Sequence, residues 1–60
     1  MLLKDFVGLV FSYVYMIREE SEDDFTRCAY VSEIPHELME CAVVNASVHN
    51  SELHIEVKEE

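Results

Sequence analysis

The stretch "VNASVHNSELHIEV", Val44 to Val57, constrains this 60-residue chain more tightly than any other. Taking Asn50 and Ser51 as a two-residue turn pairs Val48 with Leu53, Ala46 with Ile55 and Val44 with Val57, so six apolar side chains share one face. Asn45, Ser47, His49, Glu52, His54 and Glu56 then fall on the other face. Because a one-residue slip would exchange the two sets, the pattern predicts a hairpin with one buried and one wet side.

The remaining segments supply what that hairpin needs to pack against. "MLLKDFVGLV" spaces Leu2, Phe6, Leu9 and Val10 at helical intervals, with Lys4 and Asp5 on the other side, and predicts a short helix. From Phe11 the chain reads Tyr13, Val14, Tyr15, Met16, Ile17, apolar on both faces, as expected of a central strand or one covered by a partner. "FTRCAYVSEI" returns as its hairpin mate. A loop of Ser21 to Asp24 would set Arg18 opposite Arg27; a loop of Glu22 to Asp24 sets Glu19 there instead and is preferred on charge. In "IPHELME", Pro35 suits a first helical turn, with Leu38 and Met39 as core contacts. The expected fold is a single α+β domain over residues 1–60: a small antiparallel β-sheet of two hairpins with one or two short helices, in the order α-β-β-α-β-β.

Sixty residues bury only about 60% of the surface their unfolded chain exposes, so a second copy of the chain, a homodimer, is an expected source of further burial. Half the residues are apolar, with one Gly and one Pro, a composition that folds rather than one that stays disordered. The uncharged run from Phe6 to Ile17 is shorter than the roughly 20 residues of a spanning helix and reads as core. No A-x-A-like cleavage site follows it, and Cys28 and Cys41 form no C-x-x-C pair, which suits reduced thiols in a cytoplasm.

Chemistry-bearing motifs are sparse. A P-loop, G-x-G-x-x-G, H-E-x-x-H and nucleophile elbow are all missing from the sequence, so the expectation is a binding protein without catalysis, cofactor or metal. His49 and His54 near Glu52 and Glu56 lack a diagnostic zinc spacing, and "EESEDD" lacks the D-x-D-x-D-G order of a calcium loop. What stands out is charge: thirteen Asp and Glu against four Lys and Arg, a formal −9, which disfavours direct contact with nucleic acid or anionic membrane. Acids on one face of a strand recur about every 6.6 Å, a spacing resembling that of backbone phosphates. Glu19, Glu20, Glu22, Asp23 and Asp24 at one hairpin tip, Glu33, Glu37 and Glu40 around the short helix, and Glu52 and Glu56 on the sheet are the candidate partner-binding residues.

The opening "MLLKDF" and the segment "SEIPHELMECAVVNASVHNSELHIEV" carry an L-K-D start, an I-P-x-E-L helix and an L-x-I-E-V final strand. On those residues the chain resembles very small acidic proteins encoded by phages and prophages of Gram-positive bacteria. The resemblance implies a mobile-element origin and an anti-defence role, such as an anti-CRISPR protein that mimics DNA and fills the basic groove of a host nucleic-acid-binding complex. A second reading is an oligomeric sponge for a cyclic nucleotide signal, using Tyr13, Tyr15 or Tyr30 to stack a base and Arg18, Arg27 or Lys4 to hold phosphates. A third is a small structural or regulatory phage protein whose acids keep it soluble.

Overall fold

The computed structural model describes residues 1–10 and 14–59, so the strand positions expected at Phe11 and Tyr13 lie outside the described residues. Along the chain come α1 (Leu3–Phe6), β1 (Val14–Glu19), β2 (Thr26–Cys28), a 3-10 turn (Val31–Glu33), α2 (His36–Met39), β3 (Ala42–His49) and β4 (Glu52–Lys58). The four strands form one sheet in the order β2-β1-β4-β3, with both helices on one of its faces. This is a small α+β arrangement, but its sheet is mixed rather than antiparallel. Both hairpins pair antiparallel, while the central pair β1 and β4 runs parallel, with Tyr15 beside Leu53, Ile17 beside Ile55 and Glu19 beside Val57.

The direction of that central pair follows from the crossover. Cys28 ends β2 opposite Tyr15, at the start of β1, whereas Ala42 begins β3 opposite Lys58, at the end of β4. Residues 29–41 therefore cross the sheet diagonally, from one end of one edge to the other end of the opposite edge. A crossover returning to the near end would have given the antiparallel alternative. The diagonal is held at its far end by the N-terminus: Leu2 bridges Ala42, Leu3 N–H donates to the Cys41 carbonyl at 2.8 Å, and Val43 N–H donates to the Met1 carbonyl at 2.8 Å.

Alternation along β1 and β4 sends Tyr15, Ile17, Leu53, Ile55 and Val57 under the helical layer, where Leu3, Ile34, Cys28 and Cys41 complete the buried core. Leu38 and Met39 of α2 pack on this core as the sequence suggests. The first helix turns a different face inward: Leu3 and Val7 are buried, with Phe6 and Val10 beside them, while Leu9 is exposed. Four residues give α1 too little length to enforce one helical stripe, and its anchorage to Cys41 sets the rotation instead.

Register differs from expectation in both hairpins. In the first, Tyr15 opposes Cys28, Met16 opposes Arg27 and Ile17 opposes Thr26, so neither proposed pairing of Arg27 occurs and the connection is longer than either assumed loop. The observed register puts Cys28 beside Tyr15 in the core and both arginines on the opposite face, whereas setting Glu19 opposite Arg27 would turn Cys28 out of the core. In the second, Val48 with Leu53 and Ala46 with Ile55 hold, but the register shifts between Val43 and Asn45, so Val43 rather than Val44 opposes Val57. The bulge leaves Val44 exposed. At the tip, Asn50 and Ser51 have φ of 49° and 68°, a turn with both central residues left-handed, which matches the twist of the flanking strands.

Ser51 is the residue that the left-handed conformation strains, since only Gly, and to a lesser degree Asn or Asp, adopts it cheaply. Ser51→Gly is expected to raise stability by about 1 kcal/mol, read as a melting-temperature increase of roughly 4–8 °C. The two cysteines give a second test. Burial, and secondarily Glu33, raises the Cys28 thiol above its ordinary value of 9.0; burial, then Glu19 and Glu59, does the same for Cys41. Each raised folded value means stability is fully present below the unfolded value near 9.0 and is lost as pH climbs from there through the folded value. In disulfide-exchange labelling at neutral pH, both thiols are expected to react at least about tenfold more slowly than in denaturant. Equal rates would contradict the buried, protonated state.

Candidate functional site

The parallel register decides where the acids meet. Because β1 and β4 run in the same direction, the end of β1, with Glu19 and Glu20, lies beside the end of β4, with Lys58 and Glu59. Glu20 N–H donates to the Val57 carbonyl at 2.8 Å, carrying the ladder past the last strand residue. The acidic loop after β1 and the acidic C-terminal segment after β4 are thereby brought to one end of the molecule. Glu19, Glu20, Ser21, Lys58 and Glu59 line a depression of about 220 Å³ there.

A second depression, about 260 Å³, opens on the helical side of the same end. Ile17, Pro35, Leu38 and Thr26 supply its less polar part, and Glu19, Glu22, Asp24 and Glu37 its carboxylates. Glu37 belongs to α2, so this grouping joins the hairpin tip to the crossover helix, residues far apart in sequence. Among the described residues, Glu19, Glu20, Glu22, Asp23, Asp24 and Glu37 take part in no ion pair. Their charge therefore projects outward uncancelled at short range.

One arginine shapes this tip from the other side of the sheet. Arg18 pairs with Glu56 through Nη2, donates from Nη1 to the Glu22 carbonyl at 2.7 Å, and lies 5.7 Å from the centre of the Phe25 ring. With Glu22 N–H bonded to the Glu19 carbonyl at 2.9 Å, the turn is closed by backbone and guanidinium together. Arg18 is thus a holder of the acidic loop rather than a free cation.

Four of the candidate acids have other employment. Glu33 accepts from the N–H groups of Ala29 and Tyr30 at 2.8 and 2.9 Å, capping the 3-10 turn. Glu40 lies 3.3 Å from Lys4 and 3.9 Å from His36. Glu52 contacts His54 at 3.3 Å, and Glu56 holds Arg18. Glu52 and Glu56 also sit on the helix-free face of the sheet, away from Glu37. The ten expected residues consequently do not form one array: six gather at one end, and four are dispersed, three in ion contacts and Glu33 in a backbone cap. Glu59 joins the six and was not singled out from the sequence. The acidic terminus was a visible signal, but only the strand direction brings Glu59 to the tip.

The helix-free face has a different character. Register places Arg18, Arg27, Lys58, His49 and His54 on it with Glu52 and Glu56, so three of the four Lys and Arg collect on one side. A shallow depression of about 180 Å³ is lined there by Arg18, Phe25, Asn45, Ser47, His49 and His54 among others. The His54 ring sits edge-on to Phe25 at 5.2 Å and to His49 at 5.0 Å. Among the described residues no helix is long and apolar enough to cross a membrane. Comparison with family models, with curated proteins and with solved structures gave no match.

Arg18→Ala removes a charge-assisted bond, an ion pair and a ring contact from partly buried positions, and is expected to cost about 2 kcal/mol. Amide exchange at Glu20 and Glu22 should accelerate beyond this global loss, because the loop loses its holder. Uniform acceleration across the sheet, with no excess at the loop, would show that Arg18 contributes only general stability.

Proposed function

We propose that the chain is an inhibitor of phage type whose acidic end occupies the basic nucleic-acid groove of a host defence complex, in the manner of an anti-CRISPR DNA mimic. The observation that carries this reading is the convergence of Glu19, Glu20, Glu22, Asp24, Glu37 and Glu59 around two adjoining depressions. Such a surface offers a basic partner a set of carboxylates held by a sheet end, a pinned loop and a helix. Preorganised charge of this kind speeds capture by long-range steering and loses strength as salt screens it.

Two features favour a protein partner over a small cation. The carboxylates spread over several elements instead of closing on one point, and the floor of Ile17, Pro35 and Leu38 offers apolar area for the stems of Arg and Lys side chains. A groove that normally tracks phosphates would meet a comparable spacing of negative groups. The cyclic-nucleotide alternative loses one of its stacking rings, because Tyr15 is buried in the core, and Arg18 is engaged by Glu56 and the Glu22 carbonyl.

The test is displacement of target DNA from a panel of CRISPR surveillance complexes at low and moderate salt. Wild-type protein is expected to displace DNA from one of them, less effectively as salt rises. The combined Glu22→Lys, Asp24→Lys and Glu37→Lys variant should need at least about tenfold more protein for the same effect. A folded triple variant that displaces DNA as well as wild type, or a wild type inert across the panel, removes this reading.

A further inference from the structure

We propose that two copies of this chain associate through the β3 edge, making one continuous eight-stranded sheet. The two edges of the sheet are unequal. β2 is three residues long and bears the charged Arg27, the sort of short, charged edge that resists pairing. β3 is eight residues long, and in a chain of formal charge −9 its sequence AVVNASVH contains no Asp, Glu, Lys or Arg. Along that edge two such copies can approach over eight residues without setting carboxylate against carboxylate or cation against cation.

The backbone of β3 is ready for a partner over half its length. The N-terminus covers its first part, through the Leu2 to Ala42 bridge and the bond from Val43 N–H to Met1. Beyond the bulge, the ladder closes at His49 opposite Glu52 across a two-residue turn. Antiparallel alternation then directs His49, Ser47 and Asn45 toward β4 and aims the backbone groups of Val48 and Ala46 outward. The Ala46 N–H is met by the Asn45 side-chain oxygen at 2.9 Å, a local substitute for a strand. Among the described residues, no segment lies alongside Val48.

The side chains agree with the backbone. Val48 is 71% exposed and Val44 44% exposed, although Val48 faces the same side as buried Leu53. An apolar strip thus continues the core to the edge and stops uncovered. A two-fold axis beside Ser47 sets Ala46 of one copy opposite Val48 of the other, giving each outward N–H a carbonyl and closing the apolar strip over itself. This contact is self-complementary, so it ends at two copies. It also leaves the acidic loop after β1 clear of the contact, because the β1–β2 hairpin is on the far side of the sheet from β3.

Sedimentation velocity over micromolar to submillimolar concentrations tests the pair. The mass is expected to rise from 7.0 kDa to twice that, and to do so at lower concentration when salt is added, since screening relieves the repulsion of two −9 chains. This salt dependence is opposite in sign to that of binding a basic partner. Val48→Lys should weaken association at least about tenfold while leaving the circular dichroism spectrum unchanged. Amide exchange on the wild-type chain needs no substitution: the Val48 N–H should be unprotected when dilute and protected when concentrated. A mass of 7.0 kDa throughout, an open-ended series of larger species, undiminished association of Val48→Lys, or a Val48 amide that stays unprotected in the associated state would each overturn the proposal.

Discussion

Ile17 beside Ile55, each fully buried at the centre of a parallel strand pair, is the contact on which the rest of this structure depends. Neither hairpin is stable alone, since two strands with one apolar face leave that face in water. Joining them through β1 and β4 makes a four-stranded sheet wide enough for the two short helices and the 3-10 turn to cover. The diagonal crossover sets the direction of the pair, and Leu3, with no exposed surface, is tied through its N–H to Cys41 at the end of that crossover.

Strand direction has an electrostatic consequence. Parallel pairing puts the ends of β1 and β4 together, and with them the acidic loop after β1 and Glu59. Repulsion between them acts against the fold, and the opposing term is local. Arg18 lies one strand from Glu56 and reaches the Glu22 carbonyl, neutralising charge beneath the tip while leaving the outward carboxylates unpaired. The fold thereby separates much of its charge: Arg18, Arg27, Lys58, His49 and His54 on the helix-free face, and acids outside any ion pair at one end.

Several readings of the sequence rest on side-chain period and hold for that reason. The Asn50–Ser51 turn, the pairing of Val48 with Leu53 and Ala46 with Ile55, and the short helix after Pro35 are all local, and their signals lie within a few residues of one another. In the first hairpin burial outweighs charge pairing in setting the register. Setting Arg27 opposite Glu19 gains little at an exposed position, whereas placing Cys28 beside Tyr15 removes apolar surface from water. The bulge at Val44 was not legible, since Ala42, Val43 and Val44 are all apolar and either valine suits the place opposite Val57.

The sequence by itself determined the element order, the second turn, the separation of an apolar from a polar face, and the excess of acid at residues 19–24. These follow from local backbone preferences and from a period of two, which is readable along one strand. Tertiary structure alone decided the parallel sense of β1 and β4, the meeting of Glu59 and Glu37 with the hairpin tip, and the pairing that takes Glu33, Glu40, Glu52 and Glu56 out of that group. The physical reason is that an alternating pattern reads the same in both directions along a strand, so it cannot say which way two strands lie side by side. That choice belongs to the path of residues 29–41 across the core, and the path is selected by what it buries.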